Sequence, residues 1–573
     1  MKKLIASSLI AILIASTVPA SVYASNNTKS GIFNTGNISS EANHVAARKI
    51  RKPVFTTSAT TEATTVKTTE ATTQPTTVET TVETTQPATV ETTVETTQPT
   101  TVETTVETTV ETTVETTEAI TEATVANVKD FGAVADGKTD DTKAIQAAID
   151  SFGNKGGTVY LPAGVYYANN IKLASNIVIE GDGWSTVLQQ KTGLSGYQTL
   201  IGANQGGAGT LRPEGTTSLT GSITNVTIKN LKLKGNVATE GLAEWVHLVA
   251  LNSVSDAVID NVLFEGFRGD GVFIGVESTV ERHNSDITIK NSKFDGINKN
   301  NRNGISILDG TNIVIENNYF TRISREDMPG AIDIEPNKNK SIEWTILKNI
   351  TIRNNSFKDL GTIGIVYYNP NLQSQMLKGS TNGINIEGNT IDGAYVGVYL
   401  NQAYTTLDDN TAKLNVVIKN NTIKNCYSPF QAQGTRGVTL EANKFENCDS
   451  GIGLGLNGKK VLDITLSKNT FTKLGKSADG AGLFVNTASR VAIRDNYFVD
   501  CGVSSASYKE GYAIIFYAGN SDNFIIERNT VTSPSNVTTH FIYVSSTHVF
   551  NAATNSYSGN IFGKFFVSST VKL

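Results

Sequence analysis

Residues 350–357 read Ile-Thr-Ile-Arg-Asn-Asn-Ser-Phe, and this short pattern decides the fold. Its form is apolar-x-apolar-x-x-Asn-x-apolar, and its copies start about 22 to 37 residues apart, a period typical of stacked coils. Eleven copies occur, the last three below with the Asn one place earlier: Ile313–Phe320, Ile350–Phe357, Ile384–Ile391, Val416–Ile423, Val438–Phe445, Ile464–Phe471, Val491–Phe498, Phe524–Val531, Val226–Leu233, Ile287–Phe294 and Ala257–Phe264.

The pattern has a mechanical meaning in a stack of coils. Alternating apolar residues turn one face of a short strand inward. A second alternating strand follows each turn, as in Gly364–Tyr368, whose second and fourth residues point inward. The chain is therefore predicted to be all-β, a single-stranded parallel β-helix of about 11–12 coils. The further copies of this second strand are Gly271–Gly275, Gly304–Leu308, Ala331–Glu335, Gly397–Asn401 and Gly482–Asn486.

Two residue types that often carry chemistry are interpreted here as structural. The repeated Asn stands where the chain turns sharply, because Asn tolerates a left-handed backbone, and stacked amides can form an asparagine ladder. The three cysteines, Cys426, Cys448 and Cys501, occupy a column that holds Ile or Leu in other coils, so we expect small buried hydrophobes. A disulfide between Cys426 and Cys448 is the alternative.

The chain before the repeats divides by composition. Residues 1–24 combine Lys2-Lys3, an apolar run and Val22-Tyr23-Ala24, which predicts a secretory signal peptide. An uncleaved anchor is the alternative. Residues 25–55 form a basic stub. Residues 56–125 repeat Thr, Val and Glu with too little apolar content to fold, which predicts a disordered spacer. Residues 126–573 are the predicted β-helix domain.

The charge is distributed unevenly among these segments. Residues 1–55 carry seven Lys or Arg and one Glu, whereas the spacer carries twelve Glu and one Lys. Because the whole chain has a net charge of −5, residues 126–573 are neutral overall. A neutral domain argues against a general nucleic-acid binder. After the signal peptide, no segment is long and apolar enough to predict a membrane span. We therefore expect a secreted, extracellular protein, with attachment to a cell surface as an option.

The start of the domain carries a family resemblance. Val128-Lys-Asp-Phe-Gly-Ala-Val-Ala-Asp-Gly-Lys-Thr-Asp-Asp-Thr-Lys-Ala-Ile-Gln-Ala-Ala-Ile-Asp150 leads into Gly156-Gly-Thr-Val-Tyr-Leu-Pro-Ala-Gly-Val-Tyr-Tyr167. Within it, Asp140–Ser151 predicts an amphipathic helix that caps the N-terminal end of the stack. The motif resembles that of the pectate-lyase-like superfamily, in the branch shared by rhamnogalacturonases and mannuronan epimerases. The resemblance implies a right-handed parallel β-helix and a carbohydrate substrate.

The resemblance transfers no catalytic residues. The chain contains no Asn-Thr-Asp with Gly-His-Gly and Arg-Ile-Lys, as polygalacturonase-type hydrolases have. It also lacks the Asp-Pro-His-Glu segment of alginate epimerases, and the candidate equivalent strand reads Asp270-Gly-Val-Phe-Ile-Gly-Val-Glu277. The reaction must therefore be inferred from the site itself.

Two acidic residues mark the strongest candidate site. In Gly330-Ala-Ile-Asp-Ile-Glu335, Ile332 and Ile334 point inward, so Asp333 and Glu335 are expected to project together from the outer face. Two carboxylates at this spacing can divide the acid and base roles of glycoside hydrolysis. They could equally bind Ca²⁺, and no other cofactor follows from the sequence. A solvated outer face with incidental charges is the third reading.

Neighbouring coils predict a groove around this pair. Arg side chains could pair with a uronate carboxylate, Tyr rings could stack on sugars, and Asp270 is a third catalytic candidate. His247 falls near the same coils, and we interpret it as a buried strand residue. The candidate substrate-binding residues are Arg302, Arg325, Arg268, Tyr368, Tyr399 and Asn401.

Two functions fit this sequence. The first is a secreted enzyme that cleaves a polysaccharide by hydrolysis or elimination in a groove on the β-helix. In elimination, Arg302 or Arg325 would neutralise the uronate. The second is a non-catalytic glycan-binding or adhesin rod carried on the Thr-rich spacer. The sequence leaves the sugar, the linkage and the oligomeric state open.

Overall fold

The computed structural model describes residues 124–203, 223–275, 282–336, 346–369, 381–402, 407–409, 411–476, 480–502, 510–517, 519–545, 548–550, 554–562 and 566–567. The predicted signal peptide, basic stub and nearly all of the spacer lie outside these residues. The division into segments therefore stays a prediction. In the described part, no helix combines the length and the apolar composition needed to cross a membrane.

The described residues form a right-handed parallel β-helix, as the sequence predicts. Its strands pair in parallel within two sheets, one of 14 strands and one of 28. The smaller sheet carries the candidate site. In stacking order its strands are Ile171–Lys172, Gln198–Ala203, Val246–Leu251, Val272–Ile274, Ile305–Ile307, Gly330–Ile334, Ile363–Asn369, Val396–Gln402, Ser428–Gln433, Ile452–Leu454, Ala481–Val485, Tyr512–Phe516, His540–Val544 and Phe566–Val567.

The larger sheet holds the repeat segments themselves, each usually split into two strands by the turn at the Asn. Its strands are Val125–Asn127, Asp136–Asp140, Gly157–Leu161, Gly164–Ala168, Ile177–Gly181, Thr186–Gln190, Ile223–Lys234, Val254–Glu265, Ser285–Lys290, Lys293–Asp295, Gly310–Glu316, Tyr319–Thr321, Leu347–Arg353, Ser356–Lys358, Thr381–Glu387, Thr390–Asp392, Val416–Lys419, Thr422–Lys424, Arg436–Glu441, Lys444–Glu446, Val461–Ser467, Thr470–Thr472, Ala488–Arg494, Tyr497–Val499, Gly519–Glu527, Thr530–Thr532, His548–Phe550 and Ser556–Ser558.

The stack is longer than the repeat count predicts. Each of the eleven repeat copies is followed by one strand of the 14-stranded sheet. The three additional strands are Ile171–Lys172 and Gln198–Ala203 at the start and Phe566–Val567 at the end. They were missed because no segment with the full Asn pattern precedes them. The expected 11–12 coils therefore underestimate the stack.

The helical elements are few and short among the described residues. The helix Thr142–Asp150 buries Ala144, Ile145, Ala148 and Ile149 against the apolar core at the N-terminal end, which confirms the predicted capping helix. A helix of this length is marginal alone, so packing of its apolar face must stabilise it. The other helical segments are Val237–Glu240 and the 3₁₀ turns Val128–Phe131, Gly183–Ser185 and Leu456–Gly458.

The asparagine ladder is present and fully bonded. The Nδ2 of Asn355 donates to Oδ1 of Asn389 at 3.0 Å and to the carbonyl of Ile315 at 2.8 Å. The same arrangement repeats in every coil from Asn318 onward, through Asn355, Asn389, Asn421, Asn443, Asn469, Asn496 and Asn529, and it ends on Asn560. The buried side-chain amides thus provide hydrogen-bond partners for backbone N–H and C=O groups where the strands bend.

The ladder Asn residues do not themselves adopt the left-handed backbone that the sequence analysis expects of them. The left-handed backbone belongs to the residue before the ladder Asn, as at Asn317 with φ 56° and Asn354 with φ 55°. The ladder residues keep negative φ because their side chains must point into the stack to bond the neighbouring coils. The preceding residue makes the bend, and Asn, Gly, Lys, Asp and Arg all occupy that position.

All three cysteines are buried and unpaired, as expected for members of an inward column. We therefore predict that a thiol reagent labels none of them in the folded protein and three per chain after denaturation in guanidinium. Labelling of a single thiol in the denatured, unreduced protein would show that Cys426 and Cys448 form a disulfide.

Candidate functional site

The strand Gly330–Ile334 places Asp333 in the outward row of the 14-stranded sheet. Ile332 and Ile334 belong to the apolar core, as the alternation predicts, so Asp333 between them faces the other way. Along the stack Asp333 lies in register with Ser306 before it and Val366 after it. Glu335 follows the strand and donates its backbone N–H to the carbonyl of Ile307 at 2.9 Å.

Asp333 lies on the outer face of the sheet but is not exposed to solvent. Its side chain is fully buried, whereas 14% of the Glu335 side chain is exposed. Asp333 is covered because the preceding coil sends two polar side chains across it. Asn303 donates from Nδ2 to Asp333 Oδ2 at 3.1 Å, and the guanidinium of Arg302 lies 3.6 Å from the same oxygen. The other carboxyl oxygen, Oδ1, makes no hydrogen bond within the described part of the chain.

Arg302 is the centre of the site. Its Nη1 donates to both carboxyl oxygens of Asp270, at 3.1 and 2.9 Å, and to Ser306 Oγ at 3.0 Å. Its Nη2 lies 3.8 Å from Glu335 Oε2, and its Nε lies 3.9 Å from Glu244 Oε1. One guanidinium therefore faces four carboxyl groups. We call this set the Arg302 cluster: Arg302, Glu244, Asp270, Asp333 and Glu335.

The electrostatics of the cluster follow from burial and from this excess of acids. Burial, followed by the nearby Glu335, raises the pKa of Asp333 well above its ordinary value, and Arg302 opposes the rise only in part. Burial also raises the pKa values of Asp270 and Glu244. Asp333 is thus the member of the cluster most inclined to hold a proton at neutral pH.

Replacing Asp333 with asparagine is expected to raise the melting temperature at about pH 8 and to change it little at about pH 3.5. The pKa of Asp333 is higher in the folded chain than in the unfolded chain, so its folded form binds the proton more tightly. The stability of the wild type therefore falls as the pH rises above the ordinary carboxyl range, and an amide removes this fall. Thermal unfolding followed by circular dichroism measures the difference.

The exposed carboxylate of Asp150 provides the control, because Asp150→Asn changes the same group on the capping helix. A loss of stability at about pH 8 on replacing Asp333, but not Asp150, would show that the buried carboxylate stabilises the fold instead of straining it.

A histidine and three aromatic rings adjoin the Arg302 cluster. His247 is buried in the strand Val246–Leu251, as expected, and its Nδ1 accepts the backbone N–H of Asp270 at 3.1 Å. Its ring stacks on Phe273 at 4.6 Å and meets Tyr197 edge-on at 5.5 Å. Burial, then the charge of Arg302, lowers the pKa of His247 well below its ordinary value, so the ring is neutral and its proton lies on Nε2.

Trp245 and Glu244 are site residues that the sequence did not reveal. The indole of Trp245 lies 6.4 Å from the His247 ring, yet 48% of it is exposed. An exposed Trp beside a polar cluster is the usual surface on which a sugar face stacks. The signal was available, since Glu244-Trp245 directly precedes a strand of the same sheet, but that strand has no clear alternation in the sequence.

Of the remaining predicted residues, Tyr368 lies beside the Arg302 cluster, whereas Tyr399 and Asn401 are buried within the 14-stranded sheet. Tyr368 is half-buried, and burial, followed by the negative charge of Glu335, raises its pKa, so it lies beside the site. Tyr399 was expected to be an exposed stacking ring, but it is buried, and its hydroxyl accepts from Gln433 Nε2 at 2.6 Å. Asn401 is also buried and accepts from Lys459 Nζ at 3.4 Å. Both residues lie in the strand Val396–Gln402, which is buried at every position.

The two other predicted arginines form their side-chain bonds with residues other than Asp333 and Glu335. Arg268 is buried, and its guanidinium donates to Glu240 Oε2 at 2.7 Å and to the carbonyls of Gly241 and Leu194 at 2.9 Å. Arg268 therefore ties together the segments before the strand Val246–Leu251, and its role in binding stays a prediction. Arg325 forms a bidentate ion pair with Asp327, at 2.6 and 2.8 Å.

The Ca²⁺ hypothesis gains no ligand set from the structure. Across the described ranges, no three or more His, Cys, Asp or Glu side chains are grouped so that they could hold a metal ion. Arg302 occupies the space between the carboxyl groups that a cation would otherwise bridge.

Comparisons with known proteins show where this chain belongs. Residues 125–328 match the family described as rhamnogalacturonase A/epimerase, pectate lyase-like, and residues 375–561 match the family described as right-handed beta helix region. Plasmin and fibronectin-binding protein A of Streptococcus pneumoniae is 27% identical over 405 residues, which cover 62% of this chain and 51% of that protein. Mannuronan C5-epimerase AlgE5 of Azotobacter vinelandii is 52% identical over 66 residues, which cover 10% of this chain and 7% of the epimerase.

Among solved structures, the N-terminal fragment of bacteriophage Phi29 gene product 12 superposes with a TM-score of 0.57 at 16% identity, covering 77% of this chain and 71% of that fragment. The chain spans about half the length of the pneumococcal relative and less than a tenth of the epimerase. The two family matches and the fold together establish that the chain belongs to the pectate-lyase-like right-handed β-helix superfamily.

Proposed function

We propose that this protein is a secreted carbohydrate-active enzyme that hydrolyses a polysaccharide bound along the outer face of the 14-stranded sheet. Glu335 acts as general base or nucleophile, and Asp333 acts as general acid. The observation that carries the proposal is the pair itself: both carboxyl groups lie within 4 Å of one Arg302 nitrogen, at 3.6 and 3.8 Å, in different environments.

This arrangement matches what glycoside hydrolysis requires of two carboxyl groups. One must hold a proton for the leaving oxygen while the other is ionised, and unequal burial is the usual way to divide these roles. Asp333 is fully buried with a raised pKa, whereas Glu335 reaches the surface beside the Arg302 charge. Asp333 Oδ2 and Glu335 Oε2 cannot be farther apart than the sum of their distances to Arg302 Nη2, which are 3.6 and 3.8 Å. This limit allows carboxyl separations that occur in retaining and in inverting glycosidases.

Hydrolysis is preferred over elimination because the arginines are engaged. Elimination requires a cation that neutralises the uronate carboxylate of the substrate. Arg302 already faces four carboxyl groups, and Arg325 is held by Asp327. In the proposed reaction, binding of the sugar draws Glu335 and Arg302 apart, so that Asp333 reaches the glycosidic oxygen. Catalytic hydrogen bonds of this kind often tighten only in the substrate complex.

A second candidate function rests on a different observation. The pneumococcal relative that is similar over 62% of this chain is named for binding plasmin and fibronectin. The full burial of Asp333 also fits a site that binds without cleaving. A non-catalytic glycan-binding or adhesin rod on the Thr-rich spacer is therefore the alternative. Either function places the protein outside the cell, which agrees with the predicted signal peptide at residues 1–24.

The two functions are separated by incubating the purified chain with a panel of neutral, acidic and amine-bearing polysaccharides. Reducing ends and the ultraviolet absorbance of unsaturated uronates are followed together. Reducing ends without the absorbance are expected, because hydrolysis leaves no double bond. Both signals together would indicate elimination, and binding without either signal would establish the adhesin.

A further inference from the structure

The charge of the proposed groove is unusual for a site that should hold an acidic sugar. Within the described residues of the Arg302 cluster, four carboxyl groups face one guanidinium. Even with a proton on Asp333, the three other carboxyl groups of the Arg302 cluster outnumber its one guanidinium. A uronate entering here would meet like charge in a partly desolvated site, where repulsion is strong.

We propose that the groove recognises a glycan with free amino groups, an amino sugar whose nitrogen is a positively charged ammonium, and that it discriminates against polyuronates. The inference rests on the proposed glycan groove and specifies its substrate class. The ammonium would lie between the two acids that reach the surface, Glu244 and Glu335, of whose side chains 24% and 14% are exposed.

Two further observations support a cationic sugar. Trp245 follows Glu244 directly and is exposed, so one sugar ring can stack on the indole while its ammonium meets both the ring face and the carboxylate. The buried Oδ1 of Asp333 and the buried Nε2 of His247 both make no hydrogen bond in the described part of the chain. Buried polar atoms that lack a partner within the protein are commonly satisfied by an ordered water or by a polar group of a ligand.

The binding test uses three oligosaccharides of equal length: a glucosamine hexamer with free amines, its fully N-acetylated form and a galacturonate hexamer. Isothermal titration of the purified chain is expected to give an affinity about tenfold or more higher for the free amine than for the N-acetylated form, and weaker still for galacturonate. The preference should shrink as NaCl rises from about 20 to about 300 mM, because salt screens charge attraction.

Substitutions test whether the preference for the free amine arises from the acids and the indole of this site. Glu244→Gln and Glu335→Gln should each reduce the preference for the free amine about fivefold, and Trp245→Ala should weaken all three ligands together. The matched controls are Glu441→Gln, an acid of the 28-stranded sheet paired with Lys468, and Trp184→Ala, a residue of the 3₁₀ turn Gly183–Ser185 that is 42% exposed. Both controls should leave binding unchanged.

Equal or tighter binding of the N-acetylated or galacturonate hexamer would overturn the inference, as would the absence of binding to all three. Binding of Ca²⁺ alone that is lost in Glu335→Gln would also overturn it, since the cluster would then be a metal site. Preferential binding of the amine without cleavage leaves the inference intact and contradicts the proposed hydrolysis. Cleavage of a uronate or neutral polymer without a preference for amines would support the proposed hydrolysis and contradict the inference about the amino sugar.

Discussion

Replacing Asn421 with alanine is expected to lower the free energy of unfolding by about 3–5 kcal/mol, because several buried polar groups lose their partners at once. Asn421 Oδ1 accepts both the backbone N–H and the side-chain amide of Asn389, at 2.8 and 3.0 Å. Its Nδ2 donates to Asn443 Oδ1 at 2.9 Å and to the carbonyl of Ile386 at 2.8 Å. Alanine cannot replace any of these bonds, and the site is sealed from water.

The measurement is the midpoint of guanidinium denaturation, followed by circular dichroism. Asn382→Ala is the matched control, since Asn382 is exposed and accepts a single bond from Asn415 at 2.8 Å. We expect the control to cost less than about 0.5 kcal/mol. Equal losses in the two variants would mean that the ladder does not stabilise the stack.

Replacing Arg302 with methionine is expected to destabilise the protein by about 3–5 kcal/mol at neutral pH, since removing one partner leaves buried carboxyl groups without a counter-charge. Asp270, which is fully buried and accepts two bonds from this guanidinium, would be affected most. Without Arg302 the carboxyl pKa values rise further in the folded state. The loss should therefore be larger at about pH 8 and smaller at about pH 4, where protons neutralise the acids.

Arg325→Met is the control, because the ion pair of Arg325 with Asp327 is more exposed than the contacts of Arg302. It should change the free energy of unfolding by less than about 1 kcal/mol. If Arg302→Met were as stable as this control at both pH values, the four carboxyl groups would not depend on Arg302.

The fold could be predicted because its determinants are local and repeated. Alternation identified the inward residues, and the recurring Asn identified the turn in eleven coils. The position of the bend was misassigned by one residue, since the ladder Asn directly follows the residue that bends, and three copies carry Asn at both positions: Asn317-Asn318, Asn354-Asn355 and Asn420-Asn421. Only the backbone geometry separates the left-handed residue from the one that bonds its neighbours.

The site could be predicted only in part, because it is assembled from residues far apart in the chain. Asp333, Glu335 and Arg302 were found since they interrupt a repeat whose register was clear. Glu244 and Trp245 were missed since the next strand, Val246–Leu251, is buried at all six positions. Its outer face is covered by aromatic rings from neighbouring coils, so burial there does not alternate. The burial of Asp333 is not visible in the sequence, because the two side chains that cover it, those of Arg302 and Asn303, belong to the preceding coil.

If Asp333 and Glu335 cleave a glycosidic bond, the initial rate of reducing-end release on the best substrate of the panel must fall in Glu335→Gln relative to the wild type. We expect a rate at least about 10³-fold lower in the variant, with the Kd for the oligosaccharide changed by less than about tenfold. A Glu335→Gln variant that cleaves at the wild-type rate would contradict this catalytic role.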